Sequence, residues 1–191
     1  MRLHRFLKEE NVDLHFTPLE VAHDPWMSSS VEAELEALDD EDEDEEDDAL
    51  YGRALWKTKL RILEPLTHLL YAGGRISNRS KLFTDLRNRE AKASTGLGQG
   101  FAMPHVRTPQ AKGFVMGVAI APEPGLPFDA IDDEPVRLFV PMVAPNHDDK
   151  YYLKVERALG AAFAEGDELR DALLEASSKG DVIRLLSQVI D

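Results

Sequence analysis

Gly113-Phe-Val-Met-Gly-Val-Ala-Ile-Ala121 carries no charge at any position, and Val136-Arg-Leu-Phe-Val-Pro-Met-Val-Ala144 repeats the pattern with one arginine. A strand that is apolar at every position, rather than at alternate ones, has to be covered on both faces, so both runs read as buried central strands. The flanking sequence supplies the covers. Downstream, helical spacing runs through Tyr152–Phe163, Glu168–Ala176 and Gly180–Ile190, the last with Val182, Ile183, Leu185, Leu186 and Val189 inward. Upstream, Leu60, Leu63, Leu66, Leu69 and Leu70 recur every three or four residues, which gives one apolar helical stripe. Gly73-Gly74 ends it, and a second helix over Asn78–Glu90 turns Leu82, Phe83 and Leu86 inward. Residues 2 to 16 read as a short amphipathic turn or helix, then an alternating strand from Val12 to Phe16. Strands with covering helices make a layered α/β body, and 191 residues suit one domain.

Between the upstream helices and the first apolar run lies Ser94-Thr-Gly-Leu-Gly-Gln-Gly-Phe-Ala-Met-Pro-His-Val-Arg107. Gly96, Gly98 and Gly100 alternate, so the backbone can approach an oxyanion and point N–H groups at it. Read alone, such a cluster is also an ordinary turn. It is neither a P-loop, lacking Gly-Lys-Ser/Thr, nor a dinucleotide fingerprint. After the apolar Phe101, Ala102 and Met103, Pro104 fixes its own φ and presents His105. A neutral imidazole has one unprotonated ring nitrogen and can act as a nucleophile. If it took a phosphoryl group, donors would have to meet the three oxygens, and Ser94, Thr95, backbone N–H groups and an arginine are candidates.

Arg89-Glu90, then Ser94-Thr95-Gly96 with Gly98 and Gly100, then Ala102-Met-Pro104-His105 resembles the signature of enzyme IIA of the fructose/mannitol class of the sugar phosphotransferase system. Pro127-Phe-Asp-Ala-Ile-Asp132 followed by Pro135-Val136 resembles that family's segment before a core strand. The resemblance covers roughly residues 1–20 and 52–191. It implies a mixed central sheet of about five strands flanked by helices, as a single enzyme IIA type-2-like domain. It implies His105 as phosphoacceptor through Nε2, Arg89 as the active-site arginine, and Ser94, Thr95, Gly96, Gly98 and Gly100 around the phosphate, with Glu90 behind them. It also implies partners: the histidine phosphocarrier protein as donor, and enzyme IIB or a regulated target as acceptor. The family usually has a second histidine before a leucine at the start of the helix after the last core strand. Here Tyr152, before Leu153, stands there, and a tyrosine hydroxyl donates one hydrogen bond but carries no positive charge. His147, five residues earlier in the loop 146–149, is with Tyr152 and Glu90 a candidate to support the site from behind.

The formal charge of −14 is local. Residues 32 to 48 hold 13 acids and no base, leaving a charge of about −1 elsewhere. We expect a disordered acidic insertion at 26–50, interrupting a domain that spans 1–191, because like charges at that density oppose collapse. No basic stretch suits nucleic acid. No apolar run is long enough for a membrane helix, and the charged start is no secretory signal. The chain has no cysteine, which removes disulfides, thiolate zinc sites and cysteine nucleophiles and fits a cytoplasmic protein. No cofactor or metal is called for; adjacent side chains such as His147-Asp148-Asp149 seldom converge on one ion. The rival reading is a phosphorylation-independent regulatory interaction module on the same fold, favoured by Tyr152 and the acidic insertion and opposed by Arg89 and His105. A hydrolase using His105 as base lacks a paired nucleophile.

Overall fold

Both apolar runs are strands, and each is cut in two. The computed structural model describes residues 2–18, 36, 47–147, 150–164 and 166–191. Two 3-10 turns, Leu3–Arg5 and Glu9–Asn11, precede β1 (Val12–Asp13), α1 (Asp47–Ala72) and α2 (Arg79–Glu90). Six short strands follow: β2 (Gly96–Gly98), β3 (Phe101–Ala102), β4 (His105–Arg107), β5 (Val115–Met116), β6 (Val118–Ile120) and β7 (Leu138–Phe139). Then come β8 (Met142–Ala144), α3 (Lys150–Ala164), α4 (Glu168–Leu174) and α5 (Lys179–Ile190).

The strands form a five-stranded sheet, β1-β6-β7-β3-β2, and a three-stranded one, β4-β8-β5. Both are mixed. β1 runs parallel to β6, β3 to β7 and β4 to β8, while the β6–β7, β5–β8 and β2–β3 pairs are antiparallel. The two sheets share a register. Parallel partners lie 37 residues apart on both sides of the gap, Ala102 with Phe139 and His105 with Met142. The antiparallel pairing runs on in the same way, from Ala119–Phe139 to Met116–Met142. The seam is made by Pro104, Gly117 and Pro141. Neither proline has an N–H for the ladder. Across the seam Val140 N–H donates to the Ala102 carbonyl (2.9 Å), Met142 N–H to that of Pro104 (2.8 Å) and Gly117 N–H to that of Pro141 (2.9 Å). The expected five-stranded mixed sheet is present, with a second small sheet as its continuation beyond the seam.

Side chains alternate across the sheet as the pleat requires. Val118, Ile120, Leu138, Val140 and Met142 pack with Val155 and Leu159 of α3 and with Val182 and Leu186 of α5. Ala119, Ala121 and Phe139 face the other way, onto Leu60, Leu63 and Leu66 of α1. Val115 and Val143 meet Leu70 of α1 and Leu82 and Leu86 of α2. That cover on both faces is why the runs lack polar positions. Asn78 caps α2, its side chain accepting from Lys81 N–H at 2.9 Å. α1 begins at Asp47, inside the acidic run, so the last four residues of the expected insertion are helical. Apart from Glu36, residues 26–46 lie outside the described residues. Among the described residues no helix is long and apolar enough to cross a membrane.

Candidate active site

β4 is an edge strand, and His105 is its first residue, placed directly after the seam proline. The ring is held at both nitrogens. Nδ1 lies 2.7 Å from the Met103 carbonyl oxygen, which can only accept, so Nδ1 carries the proton and Nε2 the lone pair. The last turn of α2 delivers Arg89, whose Nη2 is 3.1 Å from Nε2 while its Nη1 donates to the Ala93 carbonyl at 2.9 Å. Two residues 16 apart in sequence thus meet at one nitrogen. Burial, the largest effect, pushes the imidazole below the ordinary histidine value; the Met103 hydrogen bond opposes this and the Arg89 charge adds to it.

His105 opens onto a shallow depression of about 340 Å³, bounded by Arg89, Val106 and Arg107 on one side and by Tyr152, Leu153 and Glu156 of α3 on the other. The Tyr152 ring is buried and stands edge-on to the imidazole, centroids 5.7 Å apart at 65°. The Arg107 guanidinium lies over that ring, 5.4 Å from its centroid. Burial first, and then the Glu156 carboxylate, push the Tyr152 hydroxyl up to about 12, against the pull of Arg107 and Arg89. The hydroxyl therefore remains a neutral donor near neutral pH. Arg107 and Glu156 were not singled out from sequence. The available signal for Arg107 was its place two residues after His105, since alternate residues of a strand share a face.

Other expected phosphate-binding groups are directed elsewhere. Thr95 is buried, with its N–H donating to Glu90 Oε1 at 2.9 Å and its hydroxyl to Glu90 Oε2 at 2.6 Å. The Ser94 hydroxyl donates to the Asp129 carbonyl at 2.6 Å and accepts from Gly96 N–H at 3.2 Å. Glu90 also pairs with the buried Lys59 at 2.8 Å, so this hub ties α1 to the end of α2. A Cβ on Gly96 would lie 2.7 Å from the Ala130 Cα, and Gly98 and Gly100 have φ values of +85° and +72°. The glycines serve close backbone approach and turning, and none of Ser94, Thr95, Gly96, Gly98 and Gly100 lines the depression. The Ser94 and Thr95 hydroxyls and the Thr95 and Gly96 N–H groups have partners within the fold, so the expected phosphate-binding set lies apart from the depression beside His105. Glu90 sits in that hub rather than beside His105, and His147 is exposed and outside the depression's lining.

The family profile described as "Phosphoenolpyruvate-dependent sugar phosphotransferase system, EIIA 2" matches residues 51–189. The chain belongs to this enzyme IIA family. It is 33% identical over 134 residues to the fructose-specific EIIA component of Haloferax volcanii, covering 70% of this chain and 86% of that one. Among solved structures, the nitrogen regulatory protein IIA-Ntr of Neisseria meningitidis aligns with a TM-score of 0.62 at 30% identity, over 68% of this chain and 86% of that one. The mannitol enzyme IIA of Escherichia coli, solved in complex with phosphorylated enzyme IIB, shares the fold: TM-score 0.58, 18% identity, 96% of this chain and 99% of that one. This enzyme IIA therefore has relatives named as sugar-specific phosphotransferase components and relatives named as nitrogen regulatory proteins.

Proposed function

We propose that this enzyme IIA carries a phosphoryl group on Nε2 of His105. It would receive the group from the phosphorylated histidine phosphocarrier protein and pass it to a cysteine of enzyme IIB, or hold it as a regulatory signal. The observation that carries the reading is the division between the ring nitrogens: Nδ1 is spent on the Met103 carbonyl, leaving the Nε2 lone pair at the open depression beside Arg89. In the transfer, the P–N bond of the donor breaks and its electron pair returns to the donor ring as Nε2 bonds to phosphorus. The Nδ1 proton stays on His105, and the Met103 carbonyl faces the positive character the ring then gains. Arg89 exchanges its hydrogen bond to Nε2 for one to a phosphoryl oxygen, a charge-assisted contact stronger than the one it replaces. Onward transfer reverses these roles, with a thiolate on enzyme IIB forming a P–S bond as P–Nε2 breaks.

The test is incubation with enzyme I, the histidine phosphocarrier protein and phosphoenolpyruvate, followed by mass measurement. One acid-labile phosphoryl group is expected, absent in His105→Ala. The same adduct on His105→Ala would move the site elsewhere, and no adduct on the wild type would favour the phosphorylation-independent module.

A further inference from the structure

We propose that Arg107 is the second cation of the phosphorylated site, supplying the positive charge that Tyr152 cannot. The inference rests on the phosphocarrier reading above. A phosphoryl group on Nε2 brings three acceptor oxygens and a charge of about −2 into the depression. Arg89 meets it with one arm of its fork, because Nη1 is committed to the Ala93 carbonyl. The Ser94 and Thr95 hydroxyls are turned to the Asp129 carbonyl and the Glu90 carboxylate. Among the described residues lining the depression, the other side-chain donors are the Arg107 guanidinium and the Tyr152 hydroxyl.

The geometry favours Arg107. It follows His105 by two residues on β4, so both side chains leave the same face of the strand with Cα atoms about 6–7 Å apart. The Tyr152 ring stands edge-on to the imidazole and under the guanidinium, so one aromatic side chain spaces the nucleophile and the cation. A guanidinium over an aromatic face is held there by the ring's quadrupole. Arg107 is exposed, so extending it toward the phosphoryl oxygens requires no rearrangement of the core. Glu156 on the opposite wall would repel the phosphoryl group, which gives a second cation something to offset. Unlike an imidazole, a guanidinium carries its charge at every physiological pH.

The test is the equilibrium constant for reversible phosphoryl transfer between the histidine phosphocarrier protein and this protein, for wild type, Arg107→Ala and Arg107→Lys. A constant defined between the free carriers does not register how well the two proteins dock, so a role in docking alone alters rates and leaves it unchanged. Arg107→Ala is expected to shift the equilibrium about tenfold toward the donor, the worth of one hydrogen bond to a charged group. Arg107→Lys should recover part of the shift, and thermal melts should show all three proteins equally folded. If the wild type loads and Arg107→Ala has the same constant, the proposal is overturned and the carrier reading stands. If the wild type does not load at all, the carrier reading falls and this inference falls with it.

Discussion

The proposed carrier role needs Nε2 of His105 unprotonated, and burial of the ring favours that neutral form. Its titration, followed on the ring by NMR, should have a midpoint below the ordinary value of 6.5, because burial disfavours the charged ring. The sign for stability follows. Between the folded midpoint and 6.5 the unfolded chain binds more protons at this residue than the folded one, so the wild type should lose stability on acidification through that window. His105→Gln should lose less, and a midpoint at or above 6.5 would contradict the burial argument. Arg89 contributes by shape as well as charge, with one arm on Ala93 and one on Nε2. Arg89→Lys should fold and accept phosphate at least about tenfold more slowly, a difference of about 1.4 kcal/mol in the barrier; unchanged kinetics would remove it from the site. The pairing of His105 with Arg89 was legible in sequence because residue type and motif spacing both singled them out. Arg107 and Glu156 were not, because their relevance depends on a strand face and a docked helix that no local pattern encodes.

The glycine-rich segment is decided at the scale of elements. Alternating glycines suit an oxyanion cradle and suit close backbone packing equally well, and only the neighbour decides between them. Here the neighbour is Ala130, against which a Gly96 Cβ would collide. Gly96→Ala should therefore reduce unfolding free energy by about 1–3 kcal/mol, the usual range for overpacking, measured by denaturant titration. The folded fraction should still load phosphate at the wild-type rate. Slowed loading with stability intact would return the loop to the phosphate. The two central runs were legible because burial on both faces leaves an unmistakable composition. The seam was not read, although Gly117 and Pro141 lie in plain sight, because continuous apolarity carries no phase that would reveal where pairing pauses.

At the scale of the molecule, the charge of −14 is concentrated upstream of α1 while the body is nearly balanced. Deleting residues 26–46 is expected to change the melting temperature by less than about 4 °C, equivalent to about 1 kcal/mol at this size. A larger loss would mean that the acidic stretch packs on the body. The strand order also sets a sequence of events in time. Ile120 pairs with Leu138 across 18 residues, Ala102 with Phe139 across 37, and Val12 with Val118 across 106. Each longer closure restricts more chain before any contact rewards it, and short-range pairings form first. The β2–β3 pair, whose partners lie 3 to 6 residues apart, and the β6–β7 hairpin should form early, with β6–β7 in the folding nucleus and β1 joining last. Conservative truncations should bear this out: Leu138→Ala slows refolding, whereas Val12→Ala leaves the refolding rate unaltered and accelerates unfolding.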